Sequence, residues 1–579
     1  MQAVELEAAQ LVRQFHAAPP RQQAHVATTL VEFCSRQPYG KEWHDASGRA
    51  GVVAAVVQAA KSSDVTLQQQ AVAALARLVF NHHGNQSAAA AAGAVPHLMQ
   101  LTKSSNAALQ QQAVSSLGCL VFLHHNNQSA AAADGALLHL MQLAKSSNAA
   151  IQQAAVSALG FLVSNHHNNK SAAAAVGAVP YLMQLTESGN AAIQQAAVNA
   201  LGSLVCDHHD NQSAAAAAGA VPHLMQLTKS SNAEIQQRAV NALGGLVFNH
   251  HDNQSAAAAA GAVPCLMQLT KSSKAELQHT AVIALRGLVF NHHDNKSAAA
   301  AAGAVLHLMQ LTKSSNSALQ QTAVDALGSL VYDHHNNKSA AAAAGAVPHL
   351  MQLIKSSNAA LQKTAVDALG GLVFNHHGNQ SAAAAAGAVL HLIQLTKSSN
   401  NALKKEAVNA LGRLVADHTD NQCAAGAAGA VECMCNLLSC DYALMAFAAA
   451  DTLNYLCSLA DNARRAVSMG AVALLLQLQA RFRVSSGGHE VIDEALAKLA
   501  QVPTAPPPMP SSEPAFAAAA SAAPAPVPAP AHPLAPGSRV RIEGLQGRPE
   551  LNGRTGVICG ALQQASMLRS CLYRCRYNE

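Results

Sequence analysis

From Ile235 to Val247, the residues Ile235, Ala239, Val240, Leu243, Leu246 and Val247 recur at three- and four-residue steps. That spacing draws one apolar stripe along an α-helix. The preceding Ser-Ser-Asn places capping side chains at its start. Upstream, VPHLMQLTK predicts a shorter helix with Pro222 near its first turn, where the missing N–H costs nothing. Further upstream, QSAAAAA predicts a short helix with Ser213 at its N-cap (Ser255 in the next copy), broken by Gly219 or Gly261. The chain therefore reads as a cycle of short, medium and long helices.

The cycle repeats without slippage. Its glycine recurs at Gly93, Gly135, Gly177, Gly219, Gly261, Gly303, Gly345, Gly387 and Gly429, every step being 42 residues. Degenerate copies extend the series to Gly51 and Gly470. One unit is too short to bury its own apolar stripe, so neighbours must stack into a continuous solenoid. The period excludes tetratricopeptide and ankyrin repeats, and fits HEAT or armadillo repeats.

The order short helix, Gly, Ala-Val-Pro-x-Leu-Met-x-Leu, then a long helix with AVxALxxLV resembles the armadillo repeat over roughly residues 51–500. The vacuolar armadillo proteins and, more distantly, the importin-α group are similar in kind. The resemblance implies an all-α fold: a right-handed armadillo superhelix of about eleven three-helix repeats. Its third helices would line a concave groove that takes extended peptides or partner proteins. In importin-α a Trp and an Asn on each third helix hold lysine-rich peptides. The Trp-equivalent positions here are Ser115, Ser157, Asn199, Asn241, Ile283, Asp325, Asp367 and Asn409. The Asn-equivalent positions run from Cys119 and Phe161 to Gly371 and Arg413. Neither residue type is kept, which argues against an importin-like cargo receptor.

These same positions vary from unit to unit, as does the place one turn earlier, with Gln112, Ala154, Arg238, Thr280, Thr364 and Glu406. Solvent-facing positions drift freely, and a groove that reads a partner would vary too. On the second reading the partner-binding ladder is Ser115, Ser157, Asn199, Arg238, Asn241, Asp325, Asp367, Glu406, Asn409 and Arg413. Asp325, Asp367 and Glu406 would favour a basic stretch of the partner, and Arg238 and Arg413 an acidic one.

The flanks differ from the array. Residues 1–50 hold more charged helical patterns, with Trp43 near their end, and predict an N-terminal cap. Residues 501–536 carry 12 prolines among Ala and Ser, a linker that cannot form a packed core and is expected to be disordered. Residues 537–579 hold seven Arg against three Glu, and alternate in GSRVRIEGL as a strand does. They resemble an SH3- or KOW-like β-barrel whose closing strands are not evident.

Composition narrows the function classes. Half the residues are apolar but only 3% are aromatic and 12% charged, and the net charge of +5 is small for 579 residues. Twelve cysteines at irregular spacings form no disulfide framework, which fits a reducing compartment. The acidic start lacks an apolar signal region, and the Ala-rich runs are broken by His, Gln and Lys before they could span a bilayer. Gln2 excludes N-myristoylation. The expected location is the cytoplasm, with the nucleus as an alternative, and the expected state is a monomer.

Three recurrent features invite chemistry. The histidine pairs from His82-His83 to His376-His377 suggest metal, but no Cys or carboxylate completes a set at each rung. They are read instead as caps closing the third helices, where the helix dipole favours a cation. Asn-Gln-Ser and Asn-Lys-Ser, as at Asn85 and Asn337, match the glycosylation sequon but are read as turn and cap residues. Lys103, Lys145, Lys229, Lys271, Lys313, Lys355 and Lys397 form a row interrupted by Glu187, a solvated edge or a phosphate-tracking stripe. No phosphate loop, nucleophile elbow or recurring carboxylate pair is present. The reading is a non-catalytic scaffold or adaptor with no cofactor and no metal, binding protein along its concave groove. The alternative is an RNA-binding solenoid using the lysine row and the basic C-terminal module. Against it, the groove is expected to lack the stacking aromatics that single-strand binders use.

Overall fold

A computed structural model describes residues 2–36, 40–482 and 486–502, together with the short stretches 539–541 and 555–557. The two short stretches, Arg539–Arg541 and Thr555–Val557, pair antiparallel with Val540 opposite Gly556. The rest of the expected linker and β-barrel lies outside the described residues. The array is all-helical, and the chain forms two compact units, Met1–Ala346 and Val347–Glu579.

Each repeat builds its helices by local chemistry. Gly219 adopts φ 84°, the left-handed region, and turns the chain into the second helix Ala220–Leu227. The third helix, Ala233–Val247, is capped by Asn232, whose side-chain oxygen accepts from the backbone N–H groups of Glu234 and Ile235. Ser230 supports the cap by accepting from Asn232 N–H at 3.2 Å. After Val247 the chain reverses at Asn249, φ 54°, a non-glycine in the left-handed region. Nine repeats show this left-handed residue, Asn or Asp in all but one, where Leu123 stands.

The first helix begins a turn earlier than the sequence suggested. It runs His251–Ala259, and its N-cap is His250, not Ser255; likewise His208, not Ser213, caps His209–Ala217. An imidazole nitrogen thus does the work expected of a serine hydroxyl. The histidine pairs therefore open the first helices rather than close the third ones.

Third helices pack against one another through small residues. A Cβ added to Gly160, Gly202 or Gly244 would lie 3.1–3.2 Å from the Cα of Ala200, Ala242 or Ala284 in the next repeat. This approach lets Leu201, Leu204, Leu243 and Leu246 bury completely between repeats. Near the N-terminus, Trp43 is buried on the helix Lys41–Arg49, edge-on to Phe33 at 5.9 Å.

Candidate interaction surface

Two polar ladders fix the register of successive repeats. The buried Asn253 side chain donates from Nδ2 to Leu246 O in its own repeat (2.9 Å) and to Gln212 O in the one before (3.2 Å). Gln254 Nε2 reaches the other way, to Gly287 O (2.9 Å) and Phe290 O (2.8 Å). Asn85, Asn127, Asn211 and Asn421 repeat the first pattern. These asparagines, those of the Asn-x-Ser sequons among them, are staples between repeats, almost wholly shielded from water, where an oligosaccharide has no room. In some repeats Lys replaces Gln: Lys170 donates to Cys206 O and Lys296 to Tyr332 O, and burial pushes both ammonium pKa values down.

The second ladder is histidine. The Nδ1 of His124, His166, His208, His250, His292, His334 and His418 accepts the backbone N–H of the Asn three residues on, at 3.3–3.4 Å. An accepting Nδ1 places the proton on Nε2, which donates to the Ser of the preceding repeat at 2.8–3.0 Å. The second histidine of the preceding pair lies against the ring, as His209 does against His250 at 4.3 Å between centroids. Burial first, and the neighbouring histidine second, hold these imidazoles below their ordinary pKa. Both ring nitrogens are engaged, and no group of three or more His, Cys, Asp or Glu side chains is placed to hold a metal among the described residues.

The face formed by successive third helices carries the residues singled out from the sequence. Ser115, Ser157 and Asn199 are half-buried and Asn241 is exposed. Gln111 Nε2 donates to Ser115 Oγ at 3.3 Å. Arg238 lies 3.8 Å from Glu234 on its own helix. Asp325 is ion-paired with Arg286 of the preceding repeat at 2.9 Å, and Asp367 with Arg413 of the following one at 3.1 Å. Glu406 contacts Lys405 at 3.6 Å and Lys363 at 4.0 Å, and accepts from Asn409. Asn409 and Arg413 are buried, so they support the face rather than present themselves on it.

One feature of this face escaped the sequence reading. At the C-terminal ends of the third helices, rings stack between repeats: Phe80 on Phe122 at 5.2 Å and Phe248 on Phe290 at 5.1 Å, with Phe122 meeting Phe161 at 4.9 Å. These rings are half-buried, so the face does carry aromatics. The sequence signal is the Val-Phe that ends several third helices, as at Val79-Phe80, Val121-Phe122, Val247-Phe248 and Val289-Phe290.

Four thiols are held in their protonated form. Burial pushes Cys34, Cys435 and Cys457 up to about 12 and Cys119 to about 11. No helix among the described residues is long and apolar enough to cross a membrane. Lys103, Lys145, Lys229, Lys271, Lys313, Lys355 and Lys397 are all exposed.

Comparison with known proteins agrees with this geometry. The armadillo/β-catenin-like repeat model matches residues 292–332 and 334–374, and a HEAT-like repeat model matches residues 191–245. The crystal structure of an engineered protein is similar at 27% identity and a TM-score of 0.52, covering 70% of this chain and 98% of that one. The crystal structure of a second engineered protein matches at 28% identity and a TM-score of 0.38, covering 41% of this chain and 96% of that one. No curated protein matches the chain. The fold is that of a helical-repeat solenoid, with armadillo-type repeats matched over residues 292–332 and 334–374 and a HEAT-like one over 191–245.

Proposed function

We propose that this chain is a non-catalytic scaffold or adaptor that binds an extended segment of a partner protein along the face of its third helices. The observation that carries this reading is a contrast within each repeat. The positions that pack, such as Ala242, Leu243 and Leu246, recur almost unchanged, while Ser115, Ser157, Asn199, Asn241 and Ile283 vary at one place on the open face. An extended peptide brings N–H and C=O groups that need partners once water leaves. The amides and hydroxyls from Ser115 to Asn241 supply donors and acceptors at one-repeat intervals. The nine free cysteines among the described residues fit the reducing conditions of the cytoplasm.

Affinity capture with the full chain from nuclease-treated lysate tests this. A protein partner retained after nuclease treatment, and lost on joint substitution of Asn199 and Asn241 by Ala, is the expected result. The exposed lysine row favours a second reading, an RNA ligand on the outer edge, because no carboxylate pairs with these lysines among the described residues. Loss of every partner on nuclease treatment would select that reading.

A further inference from the structure

One third helix departs from its neighbours at three places on or beside its open face. On Ala275–Val289, His279, Ile283 and Arg286 follow at steps of four and three residues. The preceding repeat has Gln237, Asn241 and Gly244 at these places. Ile283 is 40% exposed, an apolar side chain where the other repeats are polar or small.

Arg286 is the more telling change, because it stands where the neighbouring third helices use glycine to approach closely. Its guanidinium lies over the rings of Phe248 and Phe290, 5.7 and 5.9 Å from their centroids. Nε is ion-paired with Asp325 Oδ2 at 2.9 Å, and the side chain keeps 29% of its exposure. Its terminal nitrogens have no hydrogen-bond partner among the described residues. A guanidinium held over two rings, with its charge beside Asp325 but no aligned hydrogen bond from Nε, offers those nitrogens as a fork, the geometry that takes a carboxylate in two parallel bonds. His279 borders the same face, its Nε2 2.9 Å from Thr322 Oγ1.

We propose that His279, Ile283 and Arg286 form a subsite for an acidic side chain and an apolar one, two residues apart, in an extended protein segment. This rests on the reading of the third-helix face given above and adds the chemistry it selects. Arg286 takes the carboxylate and Ile283 the apolar side chain. The spacing follows from geometry: residues one helical turn apart have Cβ atoms about 5–6 Å apart, and alternate residues of an extended strand lie about 6.6 Å apart on one side.

A displayed library of random twelve-residue peptides, selected in parallel on the full chain, on Arg286→Gly and on Ile283→Asn, tests the subsite. Both variants restore residues that neighbouring repeats already carry, so the repeat still packs, and thermal melts verify it. The full chain is expected to enrich Asp or Glu two residues from Leu, Ile or Phe. Arg286→Gly should lose the acidic preference, with about a tenfold weaker affinity for the selected peptides, the size of one charge-assisted contact. Ile283→Asn should keep the acidic preference and lose the apolar one. Enrichment of the same motif on Arg286→Gly, or peptides without acidic preference on the full chain, overturns the subsite and leaves the third-helix face standing. No enrichment over an unrelated control protein overturns both.

Discussion

Arg413 Nη1 lies 3.1 Å from Asp367 Oδ1, joining one third helix to the helix one repeat before it. The two residues meet water unequally, the Arg413 side chain being 7% exposed and that of Asp367 51%. Asp367 is therefore the solvent-side partner of a buried cation before it is anything to a ligand. Asp367→Ala removes one charge-assisted hydrogen bond from the buried Arg413 and should cost about 1.5–3 kcal/mol, the usual worth of a hydrogen bond to a charged group. Adding Arg413→Gly, the residue found at Gly371, should return most of that loss. A double-mutant cycle from urea melts reads the coupling, and independent effects would remove the pair from the account.

The histidine ladder should make stability depend on pH. The folded pKa values of His124, His166, His208, His250, His292, His334 and His418 lie below the ordinary 6.5. The unfolded chain therefore binds more protons than the folded one as pH falls below 6.5, and stability rises with pH through that window. Their contribution is fully present above pH 6.5 and fades as pH drops through the lowered folded values. Protonating Nδ1 would also set two donors, the ring N–H and the Asn backbone N–H, against each other. Urea midpoints should fall between pH 7 and pH 5, and His250→Gln should flatten part of that slope. A flat profile would show that the imidazoles carry no such linkage.

The staples should be costly to cut. Asn253→Ala leaves the buried Leu246 and Gln212 carbonyls short of a donor, at about 1–3 kcal/mol per unsatisfied group. Ser213→Ala, which removes an acceptor at the partly exposed edge of the histidine ladder, should cost less. Equal costs would mean that the Asn ladder is not what holds register.

Lys274 marks the opposite case. It stands where Asn232 and Asn316 cap their helices, and its side chain makes no capping bond. Lys274→Asn should stabilise the chain by about 1 kcal/mol, and a differential scanning or urea experiment reads it directly.

Much of this architecture was legible in the sequence because it is carried by spacing. The 42-residue glycine series, the third-helix stripe and the Asn232 cap are properties of period and local propensity, and each repeat restates them. What escaped was chemistry that depends on the neighbouring repeat. His250 as an N-cap uses an uncommon acceptor, and its second nitrogen meets Ser213 of the previous repeat. The pairing of Asp325 with Arg286 crosses 39 residues, and that of Asp367 with Arg413 crosses 46. In the sequence each is only an isolated charge in a ladder, which leaves both aspartates open to a partner. The aromatic strip was hidden for a related reason: Phe248 and Phe290 meet only when repeats stack.

The proposal places the partner on the third-helix face, not on the lysine edge. The most direct measurement is the affinity of a captured protein partner for two variant sets of the full chain, with thermal melts alongside. One set replaces Ser157, Asn199 and Asn241 by Ala; the other reverses Lys103, Lys145, Lys229, Lys271 and Lys313 to Glu. The first set should lose at least about tenfold in affinity, the equivalent of about 1.4 kcal/mol, with an unchanged melt, and the second should bind near-natively. Abolished binding in the lysine set together with native binding in the Asn set would contradict it.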